Sequence, residues 1–413
     1  MKVAIIGSGI SGLAAAWGLN KHHETTLFEA ESRLGGHTAT MDVQLHGRDY
    51  RVDTGFIVYN DRTYPNLIRL FDALDIQGRA TSMSFSVATA DGSREYCSEG
   101  LGGIFATRSD LLRPSQYRLL RDILRFNKDA LALQGCTQDT RTLAEFVEQG
   151  GYSQDLADRY VYPLCAAIWS TSLETARQFP AEHFARFFAN HGLLSLKDRP
   201  QWRTVPGGSR TYIERMVPRL DCDIRTSTPV RGVERDAKGV TLFLETGPAR
   251  FDAVVLACHS DQALALLNDA SENERQILGA IPYVDNDVVL HTDRRFMPQR
   301  KRAWASWNYK LHPDPDHPAT LTYGMNRLQG LDAPEPFCVT LNDNANIDPS
   351  KVLGQYVYAH PVYTPQSNAA RARRDEINGH NNTWFTGAYW YNGFHEDGAR
   401  SALEVSQALG GGW

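Results

Sequence analysis

The sequence has little that would mark a metal-binding, membrane-spanning or nucleic-acid-binding chain. Its six cysteines (Cys97, Cys136, Cys165, Cys222, Cys258 and Cys338) are scattered, with no C-x-x-C pair. That spacing excludes a cysteine metal ladder and fits a reduced, cytoplasmic protein without disulfides. No stretch of about 18 apolar residues occurs, so no transmembrane helix is expected. The formal net charge of −5 leaves no basic excess for a general nucleic-acid binder. The histidines give no metal constellation, since His22-His23 falls in a polar turn and His312 and His317 in a Pro/Asp loop. Internal repeats and low-complexity tracts are absent. The apolar N-terminal run resembles a signal peptide only until Gly7, where glycines and serines break it.

What is present is an ordinary globular balance, 42% hydrophobic and 22% charged, over 413 residues. That length exceeds what one core normally spans, so two cores are expected. Lys2–Ile6 reads as a buried strand, Leu13–Asn20 as a helix and Thr25–Glu29 as a second strand. Between the first two lies Gly7-Ser8-Gly9-Ile10-Ser11-Gly12, a G-x-G-x-x-G match. Its first glycine permits a tight turn, its second lets the backbone approach a pyrophosphate, and its third lets helix pack on strand. The helix N-terminus then offers free N–H groups and partial positive charge. Glu29 follows at the end of the second strand, where a carboxylate accepts ribose hydroxyls. Strand, glycine turn, helix, strand and acid together specify a dinucleotide site on a parallel sheet.

These residues alone leave nicotinamide and flavin dinucleotides open. Arg33-Leu34-Gly35-Gly36-His37 follows the acidic strand end, and Val52-Asp53-Thr54-Gly55-Phe56 comes soon after. Here the chain resembles the flavin-containing amine oxidase and phytoene-desaturase superfamily. In that superfamily an R-x-G-G-R segment continues the phosphate cradle and a later D-x-G segment runs beside the flavin ring. His37 stands where the second arginine would be. Val205-Pro206-Gly207-Gly208-Ser209 resembles the family's entry into a returning helix. Thr228-Pro229-Val230 would bring a strand to the adenine end, and Phe251–His259 resembles the strand after it. Gly387 and then Gly393–Gly398 resemble the final flavin motif. The resemblance implies FAD as cofactor, held by Gly7, Gly9, Ser11, Gly12, Glu29, Arg33, Gly35, Gly36, His37, Thr54, Gly55, Phe56, Val230, Gly387, Glu396, Asp397 and Gly398. A helix beginning near Glu396 would aim its amides at the flavin N1–C2 edge.

The implied fold is α/β. A Rossmann-like FAD-binding domain with a parallel central sheet would be assembled from 1–60, 201–265 and 376–413. A discontinuous α+β substrate domain would take 61–200 and 266–375, the first stretch being read as a largely helical insertion. Within it fall helical patterns at Pro65–Leu74, Ser115–Leu133, Leu143–Gln149 and Ala181–Asn190. The Pro-rich stretches 312–318 and 333–336 read as surface loops.

Flavin carries the redox step itself, so no catalytic triad is required and none is visible. Amine oxidases of the family place a lysine near flavin N5; aligning Val288–Phe296 with that strand puts Asp287 there instead. Tyr389 and Trp390, with Tyr391, are candidates to line a substrate cavity or are plain core aromatics. His395 is the best-placed proton shuttle, or else a hydrogen-bonded structural histidine. Tyr59, Asn60 and Asn308 are weaker pocket candidates. A Cys258-His259 nucleophile is disfavoured because neighbours on a strand face opposite ways. In helix 115–133, Arg118, Arg121, Arg125 and Lys128 recur at helical spacing, while Leu119, Leu120, Ile123, Leu124 and Leu131 are read as the other face. That stripe is either a solvated face or a peripheral membrane contact.

The reading that follows is an FAD-dependent oxidoreductase moving hydride from a substrate C–H bond to flavin N5. The absent lysine favours an apolar, fatty-acyl or related lipid substrate, in desaturase, dehydrogenase or isomerase chemistry, over an amine. The rivals are an amine oxidase acting on a small or lipophilic amine, an NAD-dependent dehydrogenase, and a non-catalytic flavin-binding module.

Overall fold

The computed structural model describes residues 1–133, 136, 139–169, 171–195, 199–312, 314 and 320–413. Most of the 312–318 stretch, including His317, lies outside the described residues. Five parallel strands form a sheet in the order Cys222–Arg225, Glu24–Phe28, Lys2–Ile6, Ala253–Leu256, Thr383–Phe385. The central strand shows why both sheet faces are covered, because successive side chains point to opposite sides. Val3 and Ile5 pack with Leu13, Ala14, Ala402 and Val405, that is, with the first helix (Ile10–Leu19) and the final helix (His395–Ala408). Ala4 and Ile6 pack the other way, with Val233, Val240 and Leu242 of an antiparallel meander spanning 232–251. The sheet therefore draws on the start, middle and end of the chain.

The first and final helices can cross closely because one of them carries a glycine at the crossing. A Cβ on Gly398 would lie 2.7 Å from Ile10 Cγ2 and 2.8 Å from Ser11 Oγ. Any larger residue there would push the final helix off the start of the first helix.

A second sheet of seven strands has the order Val352–Pro361, Tyr283–His291, Cys338–Leu341, Thr320–Gly324, Trp307–Leu311, Phe85–Thr89, Glu95–Cys97. All its pairings are antiparallel except that between 307–311 and 85–89. The last two strands lie inside the 61–200 stretch, where helices were expected to dominate. Helices do occupy Pro65–Ala73, Pro114–Ala132, Leu143–Gln149, Tyr162–Trp169 and Ala181–Asn190. The strands escape a periodicity reading because 85–89 is buried on both sides and 95–97 is only three residues long.

One buried carboxylate ties these pieces together. Asp53 Oδ1 accepts from Thr40 Oγ1 at 2.5 Å, Ser209 N at 2.9 Å and Ser209 Oγ at 2.9 Å. Its Oδ2 accepts from Gln329 Nε2 at 2.9 Å, and Gln329 Oε1 accepts the Asp53 N–H at 2.9 Å. Burial pushes the Asp53 carboxyl up to about 6. Asp53→Asn would place an amide N–H₂ against a donor that has no acceptor left, at a cost of about 1–3 kcal/mol. A lower thermal-melting midpoint is expected for this variant; an unchanged melt would show that the network does not hold the segments.

Candidate active site

The first helix begins after Gly9, whose backbone is extended and where no side chain caps the helix. Its first N–H groups therefore suit an anion. A Cβ on Gly12 would lie 1.8 Å from the Gly7 carbonyl oxygen, so helix and strand meet at this glycine. A Cβ on Gly9 would meet nothing within 4 Å, which leaves open space in front of the loop. Glu29 Oε2 accepts from Ser8 N at 2.9 Å and from Ser8 Oγ at 2.5 Å, fixing the loop to the end of the second strand. The Thr228 N–H donates to the Glu29 carbonyl at 2.9 Å, so residue 228 does reach this end of the sheet. The strand expected at 228–230 instead begins at Gly232, after Pro229, which has no N–H to pair. Val230 is half-buried on the apolar layer behind the sheet.

The second glycine pair faces the first motif directly. The Gly35 N–H donates to the Ser8 carbonyl at 3.1 Å and lies 3.1 Å from Ser8 Oγ. A Cβ on Gly36 would sit 3.3 Å from the Gly9 Cα. Arg33 spends guanidinium N–H groups on the carbonyls of Gly36 at 2.8 Å and Thr38 at 3.3 Å, which shapes this turn. His37 is half-buried with rings on three sides: Tyr358 at 5.1 Å, His360 at 5.4 Å and His259 at 6.0 Å between centroids. Its Nε2 is buried without a hydrogen-bond partner. Desolvation, reinforced by His360 and His259, pushes its pKa well down.

The D-x-G segment lies on His37, with the Phe56 N–H donating to the His37 carbonyl at 2.7 Å. Thr54 Oγ1 is 2.8 Å from Tyr358 O–H, and Gly55 packs against the His37 carbonyl. The Phe56 ring stacks on His395 at 3.7 Å with 9° between planes. His395 Nε2 is hydrogen-bonded to Thr38 Oγ1 at 2.9 Å, and Thr38 in turn to Tyr212 O–H at 2.5 Å. Residues 37–38, 55–56 and 395 thus converge. Burial pushes His395 down to about 3, so the ring is neutral at ordinary pH.

The rest of the final motif divides its tasks. Glu396 caps a different helix, Pro65–Ala73, accepting from Asn66 N at 3.1 Å, Asn66 Nδ2 at 2.6 Å and Leu67 N at 2.9 Å. Asp397 accepts the Phe394 N–H at 2.8 Å, and burial pushes its carboxyl up to about 7. The Gly387 N–H donates to Ser401 Oγ at 3.0 Å. Trp390 donates to the Phe385 carbonyl at 3.2 Å and packs with Tyr389 in the apolar layer behind the sheet. The Tyr389 O–H is buried without a partner. Asn60 orders its own turn through the Arg62 and Thr63 N–H groups, and Asn308 bonds to Ser86, Ala305 and Thr322. Tyr59 packs in the core with Tyr64 and Phe71, and Asp287 is exposed. Burial pushes the Cys258 thiol up to about 12, which removes it as a nucleophile.

An uncapped helix N-terminus, open space at Gly9 and an unpartnered buried His37 nitrogen are what an anionic dinucleotide would fill. The family model described as flavin containing amine oxidoreductase matches residues 10–341. The chain belongs to that family. It is an FAD-dependent oxidoreductase, and its cofactor is FAD. The fold matches a fatty acid isomerase from P. acnes that produces CLA, at 16% identity and TM-score 0.70, covering 99% of this chain and 97% of that one. It also matches a protoporphyrinogen oxidase so assigned in Exiguobacterium sp. 255-15, at 17% identity and TM-score 0.68, covering 99% and 98%. Cyclohexylamine oxidase from Brevibacterium oxydans IH-35A matches at 15% identity and TM-score 0.67, covering 99% of each chain. No curated protein matches the chain in sequence.

This flavoprotein carries an aromatic cluster that sequence reading missed. Phe394, at the cap of the final helix, lies 5.3 Å from Phe187 and 5.6 Å from His191. His191 stacks on Phe187 at 4.0 Å and lies parallel to Trp202 at 6.1 Å, with Tyr64 edge-on to both His191 and Trp202. Beside it, the Tyr363 O–H is buried without a partner next to Gly393. Only the period of the 181–190 helix signalled this face, and nothing in sequence paired it with residue 394.

The buried histidines have a consequence for acid stability. Burial depresses His37 and His259 and brings His191 and His360 to about 4 and His395 to about 3. Unfolding restores the ordinary value near 6.5, so the unfolded chain takes up protons first. The stability they contribute is present above about pH 6.5 and lost as pH falls toward 4. Melting midpoints should drop between pH 7 and pH 5, and His37→Gln should flatten that slope; a slope identical to wild type would contradict the assignment.

Proposed function

We propose that this oxidoreductase removes hydride from a C–H bond of an apolar, fatty-acyl or related lipid substrate. FAD, when bound, supplies the hydride acceptor at N5. Gly7, Gly9, Ser11 and Gly12, with the first helix amides, would meet its pyrophosphate, and Glu29 its ribose. Arg33, Gly35, Gly36 and His37 would continue the cradle, and Val230 would border the adenine end. Thr54, Gly55 and Phe56 would lie along the ring. Gly387 and Gly398 would let the final helix aim its N-terminus there, with Glu396 and Asp397 holding that end in place.

The observation that carries the apolar reading is the aromatic cluster beside that helix. It holds Phe187, His191, Trp202 and Phe394, and His191 is neutral. An alkylammonium group would require a carboxylate acceptor when desolvated. The two nearest carboxylates along the final helix are already engaged, Glu396 by Asn66 and Leu67 and Asp397 by Phe394. Desaturation of an acyl chain also releases a proton. Among the candidates for it, His395 has the suited chemistry, a neutral imidazole held by Thr38; Tyr389 and Trp390 act behind it as packing.

Glu29→Ala should weaken FAD binding roughly ten- to hundredfold, given the worth of hydrogen bonds to a charged group. Quenching of flavin fluorescence on titration reads this, and an unaltered Kd would remove Glu29 from the site. Anaerobic addition of acyl lipids should bleach the bound flavin, whereas simple amines should not. Bleaching by an amine and by no lipid would establish amine oxidation instead.

A further inference from the structure

We infer that the helix Pro114–Ala132 and the turn before it form a docking surface for anionic lipid bilayers. The sequence pattern assigned Leu124 and Leu131 to the face opposite the bases. The structure buries Leu119, Phe126 and Ala130 against the core and leaves Leu124 and Leu131 on the outer side. Tyr117, Leu124 and Leu131 recur every seven residues, so they form one exposed line about 21 Å long at 1.5 Å per residue. Arg118, Arg121, Arg125 and Lys128 are exposed alongside them. An outer face that is both apolar and basic is what distinguishes an interfacial helix from a merely solvated one.

The turn extends the same surface. Leu112 is 88% exposed, and Leu101 and Leu111 are exposed beside it. The Tyr117 O–H donates to the Leu111 carbonyl at 2.8 Å and the Gln116 side chain to the Ile104 carbonyl at 3.1 Å, which locks turn and helix into one unit. Nine large apolar side chains are exposed among the described residues, and six of them lie between 101 and 131. Scattered exposure needs no explanation, but this concentration does. Next to Leu111 opens a groove of about 570 Å³ lined by Thr107, Arg108, Ser109, Lys301 and Arg302. Three exposed cations and the exposed Ser109 hydroxyl there complement a phosphate headgroup.

The acids nearby cancel only part of this field. Asp122 pairs with Arg121 and Asp110 with Arg113, while Asp129 bonds to Tyr152 O–H at the rim and Glu99 pairs with Arg327; among the described residues Arg118, Arg125 and Lys128 have no ion pair. No helix among the described residues is long and apolar enough to cross a membrane, so the contact is peripheral. Charge complementarity selects an anionic lipid surface as the occupant over a second copy of this chain, whose net charge is only −5. The inference stands on these residues and not on the acyl-substrate reading.

The test is co-sedimentation of FAD-loaded protein with vesicles of phosphatidylglycerol and phosphatidylcholine, against phosphatidylcholine alone. Binding should favour the anionic vesicles and weaken with salt. Arg121→Glu with Lys128→Glu should lower the partition coefficient by roughly tenfold or more, given the worth of each base near such a surface. Leu112→Asp with Leu124→Asp should lower it as far, with flavin absorbance and circular dichroism unchanged. Equal binding to both vesicle types, no binding to the anionic ones, or light scattering showing a dimer that the leucine variant dissolves would each overturn the inference. Bleaching of flavin by detergent-dispersed acyl lipid is read separately, so either idea can fail alone.

Discussion

The Asp53 carboxylate is the constraint that ties the 40–53 hairpin to Ser209 and to Gln329. Placing a carboxylate in the interior is costly unless donors replace its water. Here they come from the hairpin partner Thr40, from Ser209 at the return of the chain, and from Gln329, just after the short helix Met325–Leu328. Two residues further on, Gly55 and Phe56 lie on His37 and His395. Register errors at Asp53 would therefore carry directly to the contacts of Gly55 and Phe56.

The same interior sets the character of the chemistry. His37, His191, His360 and His395 are all held neutral by desolvation, and Tyr363 and Tyr389 keep buried hydroxyls without partners. Low-dielectric surroundings of this kind make each remaining dipole count for more than it would in water.

The dinucleotide unit was legible because its signals are local: a five-residue apolar strand, three glycines at fixed offsets, and Glu29 at the next strand end. The resemblance in Arg33–Gly36 and Gly393–Gly398 then chose flavin. What stayed hidden was tertiary. Strands 85–89 and 95–97 are too short or too evenly buried for a period to show. That Glu396 also caps the 65–73 helix, 330 residues away in sequence, had no local signal. The depth that keeps His395 neutral is likewise not written in its sequence neighbours. In the 114–132 helix a rotation of a few tens of degrees decides whether Leu124 belongs to core or surface, and a leucine-rich pattern admits both.

The parallel sheet also says something about how the protein comes to exist. Its central strand is made within the first six residues, but one neighbour arrives at 253–256 and the edge at 383–385. The final helix, whose Gly398 closes on Ile10 and Ser11, comes after that edge strand. The glycine loop is fixed early by Glu29 and Gly35, but the helix that closes over it is supplied from far along the chain. Contacts this distant in sequence form slowly, so the seat of the first helix is completed late in folding.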